Sequence, residues 1–282
     1  MSTIFDYYRA MRQTTASHIA SSGLKFRRLI HWVAHHAYSI WLFTFSDIKT
    51  IIIPSLLFAL FTAPGLPSLG VPAHLVSEAV SVSKLVSAIP RVLFWVWINL
   101  LPFNIDNQRQ QDSILEDKIN KPWRTLASGR MKPTQARTIM ICLYPVAILT
   151  SLRFGGTEQC VSLMALGFWY NDLRGADCSW VVRNIINAAG FNRFTTGALD
   201  VLLQTLDLCE EHTCARSSSG LIYWQFIIAF IVFSTVETQD MYDQEGDAER
   251  GRATMPLVIG DALARKVIAV AMVSPWQVGL ED

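Results

Sequence analysis

Seven apolar blocks, separated by charged connections, constrain this chain more than any other feature. They cover 40–64, 85–103, 138–152, 160–170, 185–206, 221–236 and 257–276. A helix needs about 20 mostly apolar residues to cross a bilayer. The first block meets that length, with Ile51-Ile52-Ile53 and Leu56-Leu57-Phe58 at its centre, even though Asp47 and Lys49 lie inside it. Several other blocks are shorter, so hydropathy alone leaves room for a soluble all-α protein with buried helices. The charges in the connections decide between the two. With a cytoplasmic N-terminus, the loops after the second, fourth and sixth blocks share one side of the membrane. Those loops hold Lys118, Lys121, Arg124, Arg130, Lys132 and Arg137, then Arg174 and Arg183, then Arg250 and Arg252. The opposite side holds only Lys84, Arg153 and Arg216. This is the positive-inside bias of membrane proteins. The expected fold is all-α: a multi-span transmembrane helical bundle over 38–282, preceded by a polar cytosolic segment, 1–37, that lacks the apolar run of a leader peptide.

Composition agrees. Charged residues make up 17% of the chain, against about 25% in soluble domains, too few to keep an ordinary surface wet. A net charge of +1 excludes a nucleic-acid binder, because neutralising phosphates takes a clear basic excess. The five cysteines form no C-x-x-C pair. Cys209 and Cys214 flank His212, but no second ligand pair follows at zinc spacing, so isolated thiols are the better reading.

Two carboxylate clusters leave the membrane on the same face. The second comprises Glu237, Asp240, Asp243, Glu245 and Asp247. On a helix, Asp240, Asp243 and Asp247 fall at i, i+3 and i+7 along one face. Like charges stacked in this way repel unless a cation or water screens them. Magnesium takes one or two carboxylates together with substrate phosphate oxygens; the competing reading is a solvated, acid-rich helix end. The first cluster runs from Asn107 through Asp112, Glu116 and Asp117, and the cations Lys121, Arg124 and Arg130 follow. A diphosphate requires that combination, with carboxylates to bridge a metal and Lys or Arg to donate directly.

The run Asp117-Lys-Ile-Asn-Lys121-Pro122-Trp-Arg124-Thr-Leu-Ala-Ser128-Gly129 resembles the D-x-x-N-K-P-x-R-P-x-x-S-G segment of the UbiA superfamily of intramembrane prenyltransferases. The run Asp240-Met-Tyr-Asp243-Gln-Glu245-Gly246-Asp247, trailed by Gly251, Thr254 and Pro256, is similar to that family's D-x-x-D-x-E-G-D with its following G-x-R-T-L-P. The likeness extends over about 38–276. It departs from the family pattern in three places. Counted back from Asp117, the usual N-D-x-x-D falls on Arg109, Gln110 and Ser113, with Asn107, Asp112 and the Glu116-Asp117 pair as nearest substitutes; that variant is similar to a fungal branch containing membrane-bound terpene cyclases. The family's Arg before Thr-Leu-Pro falls on Ala253, with Arg252 beside it. The family has nine helices and the apolar pattern here ends after the seventh, so the resemblance implies about seven of the usual nine and raises an inactive, shortened member as one expectation.

The resemblance implies Mg2+ held by Asp112, Glu116, Asp117, Asp240, Asp243 and Asp247, of which Asp117, Asp240, Asp243 and Asp247 are also expected to be catalytic. It implies a prenyl diphosphate held by Asn107, Lys121, Arg124 and Arg130, with Tyr170 and Asn171 near the cavity. Trp95, Trp97, Trp169 and Tyr223 join Tyr170 as aromatic faces for an allylic cation, although packing or lipid contact is the commoner duty for each. The expected reaction is cyclisation of farnesyl diphosphate to a sesquiterpene in secondary metabolism; the alternative is transfer of the prenyl chain to an aromatic or other acceptor. The expected setting is the lipid bilayer of the endoplasmic reticulum.

Overall fold

The computed structural model describes residues 25–208 and 218–277. Cys209, His212 and Cys214 therefore lie outside the described residues. The chain divides into two compact units, Met1–Leu42 and Phe43–Asp282. In the first, residues 25–42 form most of helix α1 (25–44). Residues 25–37, expected to belong to a polar segment, are thus helical. Trp32 and His36, one turn apart, meet edge to face with ring centroids 4.4 Å apart.

The second unit contains helices and no strands among the described residues. All seven apolar blocks are helical. The first continues into α2 (Ile53–Gly65); the others form α4 (Val82–Arg109), α6 (Pro133–Phe154), α7 (Thr157–Asn171), α9 (Trp180–Thr205), α10 (Ser219–Thr235) and α13 (Asp261–Gln277). Further helices lie between or beyond them: α3 (Ala73–Ala79), α5 (Gln111–Asn120), α8 (Gly175–Cys178), α11 (Asp240–Arg250) and α12 (Met255–Ile259). The multi-span bundle thus has more helices than spans. Among the described residues, four helical stretches are long and apolar enough to cross a membrane: Lys25–Leu69, Val82–Arg109, Pro133–Phe154 and Ser219–Thr238. With 15 and 17 residues, α7 and α13 are short for that task. Helix α9 is 26 residues long, but Asn184, Asn187, Asn192, Arg193 and Asp200 dilute its apolar character.

That mixed helix is the centre of the bundle. Helices α2, α4, α7 and α10 all pack on it, which lets its polar groups bond to protein instead of facing lipid. Trp95 of α4 is fully buried and donates its indole N–H to Ser151 Oγ at 2.9 Å. The ring sits against Gly197 of α9, where a Cβ would lie 2.0 Å from it. At the α6–α7 turn Gly155 and Gly156 have φ of 100° and 76°, and the Gly156 N–H donates to buried Asp200 at 2.7 Å. Trp95 is therefore the packing core of the α4–α6–α9 junction. It is not an aromatic wall for a cation.

Two local irregularities aim side chains at one end of the bundle. Between α1 and α2 the backbone narrows to a 3-10 turn (Phe45–Asp47), then widens to a π-turn (Ile48–Ile52). Pro54 has no N–H for the carbonyl one turn back, and the ladder instead closes from Ile53 N–H to Ile48 O. The narrow turn presents Asp47 and the wide turn Ile51 to the interior; π-turns are frequent at functional sites. Asp47 is fixed by Asn104 Nδ2 at 2.7 Å and by Thr50 Oγ1 at 3.2 Å. The second irregularity follows α10, where a 3-10 turn (Val236–Thr238) breaks the helix before α11 begins at Asp240. The acidic run therefore sits on a separate helix and does not continue α10.

Candidate active site

Helices α5 and α11 carry the two acidic motifs, and they lie side by side. Asn120 holds them together: its Nδ2 donates to Asp243 O at 2.9 Å and its Oδ1 accepts from Gly246 N–H at 3.1 Å. Position 246 must be glycine for this clasp to form, because a Cβ there would lie 2.3 Å from Asn120 Nδ2. Gly246→Ala is expected to break both bonds and lower stability by about 1–3 kcal/mol, with turnover falling in parallel as Asp243 shifts; thermal unfolding in detergent and an activity assay check this together.

The acids of the two motifs meet cations, most of them from distant parts of the chain. Asp117 binds Arg124 through both oxygens, at 2.8 and 3.1 Å. Lys121 pairs with Asp243, and Arg183 of α9 pairs with Asp240. Arg252 reaches Glu116 at 3.0 Å and Asp177 and Asp247 at 3.2 Å, while Arg250 joins Glu116 at 3.0 Å and Asp177 at 3.3 Å. The turn after α11 makes this possible. Gly251 at φ 75° lets the chain reverse, so Arg252 N–H bonds to Asp247 O at 2.9 Å and its side chain folds back over the helix. Burial pushes the Asp247 carboxyl up to about 6, against the pull of Arg183 and Arg252. It raises Asp117 as well, with Arg124 opposing. Both shifts reflect carboxylates withdrawn from water.

A polar cavity of about 110 Å³ opens over this network. Its charged walls are Asp47, Glu116, Lys121, Arg124, Asp243 and Arg252, with Arg183 at the back. Asn104, Asn107 and Gln239 add amide groups, and Asn107 donates to Asn171 at 3.1 Å. An apolar pocket adjoins it between α4, α7 and α9. The two share Ile51, Phe103, Tyr170, Asn187 and Phe191. Beyond those shared residues the walls are Leu163, Leu166, Ile186 and Phe194, with Gly167 and Gly190. A charged cavity thus lies directly beside an apolar slot, with five residues common to both walls.

Among the expected residues, Asn107, Glu116, Lys121, Arg124, Tyr170 and Asp243 line the polar cavity. Asp117, Asp240 and Asp247 are buried just behind it and pair with Arg124, Arg183 and Arg252. Asn171 is buried and bonds Asn107. Asp112 instead pairs with Arg174 at 3.1 Å on the outside of α5, and Arg130 is half-buried in the turn beyond Arg124. Neither lines the cavity. Of the aromatic candidates only Tyr170 reaches the site; Trp169 and Tyr223 are exposed and Trp97 packs against the main core. Sequence reasoning noted Asp47 and Arg183 but gave them no part in the site. An ionisable residue in or beside an apolar span is by default a functional candidate, and that rule would have found both.

Among the described residues no three His, Cys, Asp or Glu side chains converge as a closed metal cage. Magnesium does not need one when phosphate oxygens complete its shell. Buried Asp240 Oδ1 and Asp247 Oδ2 have no hydrogen-bond partner among the described residues, and such hard carboxylate oxygens suit that ion.

The described residues thus form an all-α bundle with four helical stretches apolar enough to cross a membrane and a charged cavity beside an apolar slot. Residues 51–280 match the model of the UbiA prenyltransferase family, and the chain belongs to that family. It is 28% identical to the fumagillin beta-trans-bergamotene synthase of Aspergillus fumigatus over 78% of this chain and 72% of the relative. It is also 28% identical to a diterpene cyclase and to a polyprenyl transferase of Hericium erinaceus, over 80% and 84% of this chain and 65% and 73% of theirs. The solved structure of a UbiA homolog from Archaeoglobus fulgidus bound to DMAPP and Mg2+ shares the fold, with a TM-score of 0.51 and 15% identity over 80% of this chain and 73% of that one.

Proposed function

We propose that this chain ionises a prenyl diphosphate inside the membrane, with Mg2+, and cyclises the resulting cation. The reading rests above all on the adjacency of the two chambers: the charged cavity and the apolar slot share five wall residues. Such a shape suits one molecule with a polyanionic head and a hydrocarbon tail.

Asp240, Asp243 and Asp247, with Glu116 or Asp117, are the carboxylates assigned to hold the metal. Bound there, Mg2+ neutralises the diphosphate and improves it as a leaving group. Lys121 and Arg124 donate to the same oxygens, the guanidinium as a two-pronged donor. When the diphosphate enters, Lys121 exchanges its Asp243 partner for phosphate, which frees the carboxylate on the cavity wall. Arg183 and Arg252, which line the cavity, keep Asp240 and Asp247 oriented through their ion pairs. The bond from the allylic carbon to oxygen then breaks and its electron pair leaves with the diphosphate. The cation remains beside Tyr170, Phe103 and Phe191, whose ring faces stabilise positive charge in a dry slot.

The slot supports cyclisation over transfer. Tyr170 and Asn187 are its polar side chains, and no charged side chain lines it among the described residues, so an acidic acceptor has no obvious anchor. The relatives include a bergamotene synthase and a diterpene cyclase, which supports cyclisation, and a polyprenyl transferase at the same identity, which keeps transfer as the alternative. Farnesyl diphosphate is the proposed substrate and an apolar sesquiterpene the product, formed when the cyclised cation gives up a proton to the released diphosphate, in the endoplasmic reticulum membrane as part of secondary metabolism. Membranes containing the protein, given Mg2+ and farnesyl diphosphate, should release a volatile hydrocarbon into an organic overlay without any acceptor. Prenylated product that forms only after an aromatic acid is added would replace this reading with transfer.

A further inference from the structure

The slot walls run as two ladders. On α9, Arg183, Asn187, Gly190 and Phe194 succeed one another along one face, from the charged cavity inward. On α7, Tyr170, Gly167 and Leu163 run the opposite way along the facing wall. A prenyl tail that follows its head into the slot therefore passes Asn187 first, Gly190 about one turn later and Phe194 about one turn after that.

The two glycines on these ladders differ. A Cβ at Gly167 would lie 3.2 Å from the Phe103 ring, so α7 and α4 are already in contact there and that wall is closed. A Cβ at Gly190 would meet nothing within 4 Å. Gly190 thus faces open space in the middle of a helix, where glycine is a poor helix former. Its missing side chain leaves the inner part of the slot open.

Building on the proposed prenyl-diphosphate site, we propose that Gly190 sets the length of prenyl chain the slot accepts. Its position, a turn inside the head chamber, leaves the diphosphate contacts of Lys121 and Arg124 untouched while it controls passage to Phe194. A side chain at 190 caps the slot from one wall. Short chains then still bind and ionise, and long chains must fold back or leave the head misplaced. The smaller Ala should act weakly and Phe strongly.

The test compares kcat/KM for diphosphate release from dimethylallyl, geranyl, farnesyl and geranylgeranyl diphosphates in wild type, Gly190→Ala and Gly190→Phe. Because alanine is a better helix former than glycine and a Cβ at 190 meets nothing within 4 Å, Gly190→Ala should fold; thermal unfolding in detergent checks both variants directly. Gly190→Phe is expected to lower kcat/KM for the longest chain accepted by about tenfold or more while dimethylallyl diphosphate changes by less than about twofold, with Gly190→Ala between. Equal losses for every chain length, or no change for any, would overturn the gauge and leave the ionisation site standing. Wild-type protein that releases diphosphate from none of the four would overturn the site and the gauge together.

Discussion

Asp243→Asn is expected to fold like the wild type and to lose turnover by about a hundredfold or more. Among the three aspartates of α11 it alone lines the cavity, and its side chain keeps 20% of its exposure. The change removes one charge and no volume. Lys121, its partner, is itself 22% exposed and can turn to water or to phosphate. Stability should therefore hold while the cavity loses one of the carboxylates on its wall. Measuring kcat beside the unfolding midpoint separates the two effects. A variant that retains wild-type kcat would remove Asp243 from the mechanism.

Arg252→Ala should act in the opposite way, on the fold before the chemistry. Arg252 is 6% exposed in its side chain and bridges Glu116, Asp177 and Asp247, which are 7%, 19% and 0% exposed. Removing it leaves Asp247 buried without its cation and Glu116 with Arg250 alone. Breaking a buried pair from one side costs about 3–5 kcal/mol, enough to unfold a marginal membrane protein during extraction. Arg252→Lys should recover only part of that loss, since a single ammonium cannot fork across three carboxylates. Unfolding midpoints in detergent for the Arg, Lys and Ala forms should fall in that order. By the same reasoning, Asp240→Ala loses stability as well as activity, because it takes away the carboxylate that Arg183 pairs with; Asp247→Ala should cost less stability, since Arg252 keeps Glu116 and Asp177.

What the sequence made legible followed from local pattern. The apolar blocks became helices, and Asp240, Asp243 and Asp247 share a helix as their spacing required. Their environments were not legible. Asp240 and Asp247 are buried because Arg183 and Arg252 pair with them, and these partners come from 57 and 5 residues away. Glu116 meets Arg252 across 136 residues. No periodicity encodes these pairings: Arg183 arrives on α9, Glu116 on α5 packed against α11, and Arg252 through the turn at Gly251. The stretch after the second span read as a charged loop, yet Gln111–Asn120 is helical, and that helix turns Asp112 outward while Glu116 and Asp117 face the interior. The clasp between Asn120 and Gly246 joins the two motifs that the sequence showed only as separate runs.

Diphosphate release by the purified protein is the most direct test. The account predicts that wild-type protein in lipid or detergent liberates diphosphate from farnesyl diphosphate when Mg2+ is present, that a chelator stops it, and that restored Mg2+ revives it. Well-folded protein that leaves every prenyl diphosphate intact with Mg2+ present, or that releases diphosphate equally under excess chelator, would contradict it.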